Sequence, residues 1–286
     1  MKEITIEDKE LINSYRTDSI LNSEYQFTTL FAWAEKYKFR FVVHNGFLLV
    51  FGTQNNGNMQ CYFPIGNGDL SECFQYIKEV FYQEVKPFNL RPISDTMLES
   101  LKPLLPNNCI IGTKESYSDY LYAYDDLLYY NGSAYKKKRK LVNQFYKNYE
   151  FEYEKISAEN ALECLGAIRK IAEESGNFDI DEWNAYTRLF KHYSILNLKG
   201  IAIRINKQIE GVTVGELCNE MVLLHIRRCN KKIQGIYPAI LQLLLKTQFA
   251  ESKCQFVNGQ DDMGILSLRC SKLSYKPKLV LEKTFE

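Results

Sequence analysis

No stretch of this 286-residue chain approaches the roughly 18 uninterrupted apolar residues that a membrane-spanning helix requires. Met1-Lys2-Glu3 opens an acidic segment without the apolar core of a signal peptide, so a cytoplasmic location is expected. Histidine is scarce, at three residues, and the eight cysteines, at 61, 73, 109, 164, 218, 229, 254 and 270, contain no C-x-x-C pair. That spacing spells neither a zinc site nor a thioredoxin motif. Reduced cysteines acting as small apolar residues are expected, and no metal. No internal repeat is visible, and no linker rich in Gly, Ser or Pro interrupts the middle of the chain near Asn131-Gly132, so halves packed together through the basic helix are expected over loosely tethered ones.

What is present is enough apolar material for two cores, with 45% hydrophobic residues and a length that predicts about two domains. The boundary is expected near Asn131, giving modules over residues 1–130 and 131–286. The net charge of +1 hides an asymmetry. Through Tyr130 there are 11 Lys and Arg against 17 Asp and Glu, a balance of −6; from Asn131 onward the counts are 25 and 18, a balance of +7. A basic second half either keeps that half soluble or suits an anionic partner: a nucleotide-containing donor, a transfer RNA or an acidic lipid surface. No DNA partner is expected. The densest cluster, Lys136-Lys137-Lys138-Arg139-Lys140, opens a helical pattern through Leu141, Val142, Phe145 and Tyr149. Five consecutive cations cannot share one helix face. Some face solvent, while Lys138 and Arg139 are candidates to line a groove.

Local signals give most of the elements. Ser23 to Gln26 fits a capping box before a helix bearing Leu30, Phe31 and Trp33. Two strand-like runs, residues 38–43 and 47–51, flank His44-Asn45-Gly46, a hairpin signal. Another strand ends at Phe63, and the turn over residues 64–69 leads through Asp69 as N-cap into a helix carrying Phe74, Ile77, Val80 and Phe81. Pro87 and Pro92 punctuate the next segment, Ser94 starts a brief helix ended by Pro103 and Pro106, and a strand over residues 117–124 is expected to complete this half. The second half reads as a strand at 151–156, helices at 161–172 and 181–191 with Trp183 buried, and three strands at 201–205, 209–216 and 221–228. A helix opened by Gly235, a strand at 255–257, a charged helix and a last strand at 278–281 follow.

The charged segment, residues 256–277 (FVNGQDDMGILSLRCSKLSYKP), joins fold to chemistry. Asp261 and Asp262 sit where a helix would begin. At roughly 100° per residue, Asp262, Leu266, Arg269 and Lys272 fall on one side of it, an acid and two bases beside a strand end. A capped helix with ordinary surface charges is the plainer reading of the same spacing. This run resembles the closing motif of the family of proteins similar to the C-terminal domain of phosphatidylglycerol lysyltransferases, roughly Y-I-N-R-E-x-D-x-G-x-x-G-L-R-x-x-K-x-S-Y-x-P. The matching residues are Asn258, Asp262, Gly264, Leu268, Arg269, Lys272, Ser274, Tyr275 and Pro277. Further echoes lie in residues 28–37 (TTLFAWAEKY), 62–70 (YFPIGNGDL) and 118–145, in Gly215-Glu216 and in Gly235-Ile236-Tyr237, so the resemblance covers nearly the whole chain.

The resemblance implies an α+β fold of two tandem GNAT-like acyltransferase domains, each a mixed, mostly antiparallel sheet flanked by helices, as in Fem-type aminoacyltransferases. The element order of the second half agrees. The implied activity is transfer of an acyl or aminoacyl group from an activated donor, acyl-coenzyme A or aminoacyl-tRNA, to an amine or hydroxyl; no other cofactor is expected. Such chemistry needs a held donor, a stabilised oxyanion and a base. Asp262, Arg269, Lys272, Glu216 and Tyr275 are the catalytic candidates, with Glu216 preferred to His225 as base. Arg228, Lys231, Lys232, Gly235, Tyr237, Asn258, Lys138 and Arg139 are the donor-binding candidates. The chain departs from the family pattern at Gly259-Gln260, where relatives carry Arg-Glu, and at Arg227-Arg228-Cys229, where they carry Glu-Lys-Ala. Gln260 cannot act as a base at neutral pH. The competing expectation is a non-catalytic protein that uses the groove between the modules to bind an anionic metabolite, RNA or a membrane surface.

Overall fold

Alternating apolar residues and Asn45-Gly46 fold as expected into a hairpin, because both turn residues take the positive φ that this tight connection demands (45° and 80°). In the computed structural model, which describes all residues except 18, 92–94, 106–111, 114–116, 282–283 and 286, that hairpin belongs to the first of two compact units. The first unit comprises Met1–Asp119, Asp261–Ile265 and Leu281–Glu286; the second comprises Tyr120–Gln260 and Leu266–Val280.

In the first unit, β1 (Lys2–Glu3), β2 (Arg40–His44), β3 (Phe47–Thr53) and β4 (Met59–Cys61) form an antiparallel sheet in that order, with β5 (Ile65–Gly66) also on β3. Helices α1 (Lys9–Ser14), α2 (Phe27–Tyr37), α3 (Leu70–Gln83) and α4 (Asp95–Leu101) accompany it, and β6 (Gly112–Thr113) pairs with Thr284–Phe285. Asp69 caps α3 as expected, its Oδ1 accepting from the amides of Ser71 (2.8 Å) and Glu72 (3.1 Å). The apolar stripe Phe74, Ile77, Val80 and Phe81 then packs against Leu49 and Phe51. The capping box at Ser23 does not form. Residues 23–25 make a 3-10 turn, and the Ser23 amide and hydroxyl instead bond the buried Asp119 carboxylate at 2.6 and 3.0 Å. A charged, fully buried acceptor outcompetes a neutral local one. The expected features at Pro92, Ser94, Pro106 and Cys109 lie outside the described residues.

The second unit is built on a seven-stranded sheet. Its strands are β7 (Asp119–Ala123), β8 (Glu152–Lys155), β9 (Lys199–Ile205), β10 (Gln208–Cys218), β11 (Met221–Cys229), β12 (Phe256–Asn258) and β13 (Leu279–Leu281), ordered β13-β7-β12-β11-β10-β9-β8. The expected strand at 117–124 is therefore present, but it does not complete the first half: it pairs antiparallel with β12. Helices α5 (Tyr124–Tyr129), α6 (Lys136–Asn148), α7 (Ala161–Glu174), α8 (Ile180–Lys191), α9 (Ile236–Gln248) and α10 (Leu266–Leu273) complete the unit. The face shared by Ile201, Ile203 and Ile205 packs with Ile240, Leu241, Leu244 and Phe145 in one core, each such side chain contributing about 2 kcal/mol. Gly235 opens α9 at φ 84°, and a Cβ there would lie 2.1 Å from the Leu141 carbonyl oxygen of α6. No other residue fits. Trp183 is half-buried rather than buried, its ring shared with the Arg169 guanidinium at 5.4 Å. Among the described residues no helix is long and apolar enough to cross a membrane.

Candidate functional site

The helix that carries Arg269 and Lys272 begins at Leu266, not at the aspartates. Gln260, Met263 and Gly264 take φ of 59°, 51° and 76°, left-handed values that no α-helix accommodates. The Asp262 carboxylate closes this turn by accepting from the Gly264 amide at 2.8 Å, and the residue is buried. Asp262 precedes α10 and is not part of it, which corrects the helical-wheel expectation that sets it on one side with Leu266, Arg269 and Lys272. Arg269 and Lys272 do share a face, three residues apart. Arg269 is half-buried and Lys272 buried. The Lys272 ammonium donates to the Gly259 carbonyl and reaches the Gln260 carbonyl at 3.4 Å, so it ties α10 to the loop that leaves β12. The Asn258 side chain holds the same loop by accepting from the Gln260 amide at 2.6 Å.

Strands β11 and β12 run parallel, but their pairing covers only Met221, Leu223 and the residue between, against Phe256 through Asn258. β11 continues to Cys229 with no strand on that side among the described residues, and the Gln260 side chain fills the first gap, donating to the Leu224 carbonyl at 2.8 Å. The two strands thus part into a wedge. On its other edge β11 carries a bulge: Val214 faces Ile226 and Gly215 faces Leu224, leaving His225 as the extra residue. His225 Nε2 lies 3.0 Å from Glu216 Oε1, both side chains largely buried.

The bulge breaks the alternation that places Arg227 on one face with Met221 and Leu223. Arg227 instead turns into the core beside Tyr275, Tyr122 and Tyr130, which pack with Val222 and Leu224. Its guanidinium lies 5.0 Å from the Tyr275 ring centroid, and the Lys138 ammonium lies 3.3 Å from the same centroid. Lys138 also donates to the Ser274 hydroxyl at 2.7 Å. Burial first, and the Arg227 charge second, pull the Lys138 amine down to about 8. The Tyr275 carbonyl accepts from Tyr135 at 3.0 Å and the Lys272 carbonyl from Tyr122 at 3.1 Å, which fixes the ring in place.

The remaining candidates have other tasks. Arg228, one residue on, leaves the opposite face and pairs with Glu182 of α8, whose other oxygen accepts from Tyr186 at 2.6 Å. Arg139 of α6 donates to the carbonyls of Tyr130 and Gly132, closing the turn after α5. Tyr237 donates to the Cys229 carbonyl at 3.1 Å. Lys231 and Lys232 stand exposed in the turn before Gly235. Arg227, with the rings around it, is the residue that sequence reasoning missed as part of a site; its departure from the family pattern was the available signal.

Set beside known proteins, residues 19–283 match the family profile of the phosphatidylglycerol lysyltransferase C-terminal region, and the chain belongs to that family. An uncharacterised protein of Mycoplasmoides gallisepticum is 30% identical over 176 residues, 59% of this chain and 56% of its own, so the match spans about half the length of that relative. A conserved protein of unknown function from Bacteroides thetaiotaomicron superposes over 99% of this chain and 97% of its own, with TM-score 0.92 and 26% identity. The C-terminal domain of an Agrobacterium fabrum protein named for lysylphosphatidylglycerol synthesis gives TM-score 0.67 at 10% identity, over 98% of this chain and 90% of its own. A tandem GNAT protein of the clavulanic acid pathway gives 0.50 at 8%, over 84% and 78%. The fold is the expected α+β one of tandem GNAT-like domains.

Proposed function

We propose that this protein transfers an acyl or aminoacyl group from an activated ester or thioester to an amine or hydroxyl, in the second GNAT-like module, expected over residues 131–286. The parting of β11 from β12 carries the reading. A donor with an extended, amide-bearing arm can lie along the freed edge of β11 as an added strand would, with its reactive carbonyl near the bulge. Family membership supports the same class, since phosphatidylglycerol lysyltransferases are named for moving lysine onto a lipid.

In this reading the acceptor attacks the donor carbonyl, the new amide or ester bond forms, and the thiol or alcohol leaves with the proton. Glu216, held by His225, is the base that takes the acceptor's proton. Lys272 and Asn258 act as positioning residues for the wedge loop. Arg269 and Tyr275 are retained as members of the proposed site, with Lys138, Lys231 and Lys232 on the side of the donor's anionic part; Asp262, which belongs to the first unit, is not. Acyl-coenzyme A and aminoacyl-tRNA are the proposed donors.

The test is a panel of acetyl-coenzyme A, longer acyl-coenzyme A donors and charged transfer RNAs, read by release of free thiol or deacylated RNA and by mass spectrometry of acceptor amines. Turnover that falls about a hundredfold in Glu216→Gln is the expected result. Tight donor binding with no turnover would overturn the proposal in favour of a binding protein.

A further inference from the structure

Arg227 and Lys138 differ from the ion-paired arginines of this unit in having no carboxylate to neutralise them, and from its exposed lysines in being half-buried. Arg204 is paired with Glu154 and Glu163, Arg169 with Glu173, and Arg228 with Glu182. Among the described residues, Arg227 makes no hydrogen bond or ion pair, and Lys138 meets only the neutral Ser274 hydroxyl and the Tyr275 ring. The groups around Arg227 that could turn negative are Tyr275, Tyr122, Tyr130 and Cys229. Burial pushes the proton affinity of all four up, Cys229 to about 12, so each is neutral at physiological pH.

Two like charges therefore share one aromatic ring, close enough that Arg227 weakens the Lys138 cation, with their side chains half-buried rather than sealed. Such an arrangement is costly unless a counter-charge joins it. A carboxylate would neutralise one of the two. A phosphate monoester carries nearly two charges, with oxygens for the planar guanidinium fork, the ammonium and the Ser274 hydroxyl together. We infer that Arg227, Lys138 and Ser274, arranged around the Tyr275 ring, form a binding site for a phosphate group.

This inference deepens the transfer reading by giving the donor or acceptor its anionic handle, yet it is tested by binding alone. Inorganic phosphate, adenosine monophosphate and glycerol 3-phosphate are titrated calorimetrically into the wild type and into Arg227→Met, Lys138→Met and Lys137→Met at fixed ionic strength, with acetate as the carboxylate control. Lys137 is exposed on the same helix and serves as the charge control. Saturable binding of at least one phosphate compound is expected, weakened about tenfold or more in Arg227→Met and in Lys138→Met, and unchanged in Lys137→Met. Preference for adenosine monophosphate assigns the site to a nucleotide-borne phosphate, and preference for glycerol 3-phosphate to a lipid headgroup; either supports the site. Absence of saturable binding in the wild type, binding unchanged in both Arg227→Met and Lys138→Met, or acetate binding as tightly as phosphate would overturn it. Should Arg227→Met lose its circular dichroism signature, Lys138→Met carries the test. Acyl transfer that persists undiminished without phosphate binding would sink this site while leaving the transfer reading intact.

Discussion

Arg227 and Arg228 are neighbours in sequence and opposites in circumstance. On one face of β11, Arg228 meets Glu182 and Tyr186 from α8, a closed arrangement in which charge is matched by charge. On the other, Arg227 faces tyrosine rings and a second cation. The first is what a folded protein does to hold an element in place. The second gives up stability, and groups left in that state mark where a ligand completes the structure. That His225 bulges out without a cross-strand partner decides which arginine has which role.

Inserting one residue between Val214 and Gly215 of β10, so that His225 gains a cross-strand partner, is the harshest way to break this contrast. Strict alternation would send Arg227 toward α8 and press Arg228 into the tyrosine cluster, and every later side chain of β11 would change face. Loss of cooperative folding is expected, a cost above about 4 kcal/mol, seen as a missing thermal transition. Glu182→Ala comes next. It strands a largely buried guanidinium and should cost about 2 kcal/mol by urea denaturation, most of it recovered in the double variant with Arg228→Met. Arg227→Met should run the other way, neutral or stabilising by about 1 kcal/mol, because an unmatched charge is replaced by apolar volume among rings. Destabilisation matching that of Glu182→Ala would erase the distinction between the two faces.

The smallest effect is a dependence on pH. Lys138 on α6 is faced by Arg227 from β11 and by Ser274 and Tyr275 beyond α10, and its folded value of about 8 lies below the ordinary lysine value of 10.5. Between those values the unfolded chain binds a proton that the folded chain has released, so this group makes folding more favourable as pH rises from 8 toward 10.5. Buried cysteines and tyrosines push the opposite way in the same range. The comparison is therefore wild type against Lys138→Met: the variant should be the more stable at pH 7, with the gap closing by pH 10.

Local chemistry was legible from the residues alone. Asn45-Gly46, the Asp69 cap, the apolar stripe of α3, the basic helix α6 and the glycine before α9 each act within a few residues, and each is found where expected. What escaped depends on distant partners. The strand beginning at Asp119 reads the same whichever sheet receives it, and pairing with β12 decides. Ser23 has the spacing of a cap, but a carboxylate 96 positions away takes its hydrogen bonds. The aspartates before α10 looked like helix caps because Met263 and Gly264 give only a weak hint of their left-handed conformation. The bulge at His225 leaves no local trace, and with it went the recognition of Arg227.

The first unit is assembled from pieces at opposite ends of the sequence: its early strands and helices, the turn of Asp261–Ile265, and the pairing of Gly112–Thr113 with Thr284–Phe285. A ribosome making this protein must therefore emit the second unit almost whole before the first can close. Early segments wait, unfinished, for nearly the full period of translation, and a nascent chain stalled past residue 130 would offer them to chaperones rather than to a completed fold.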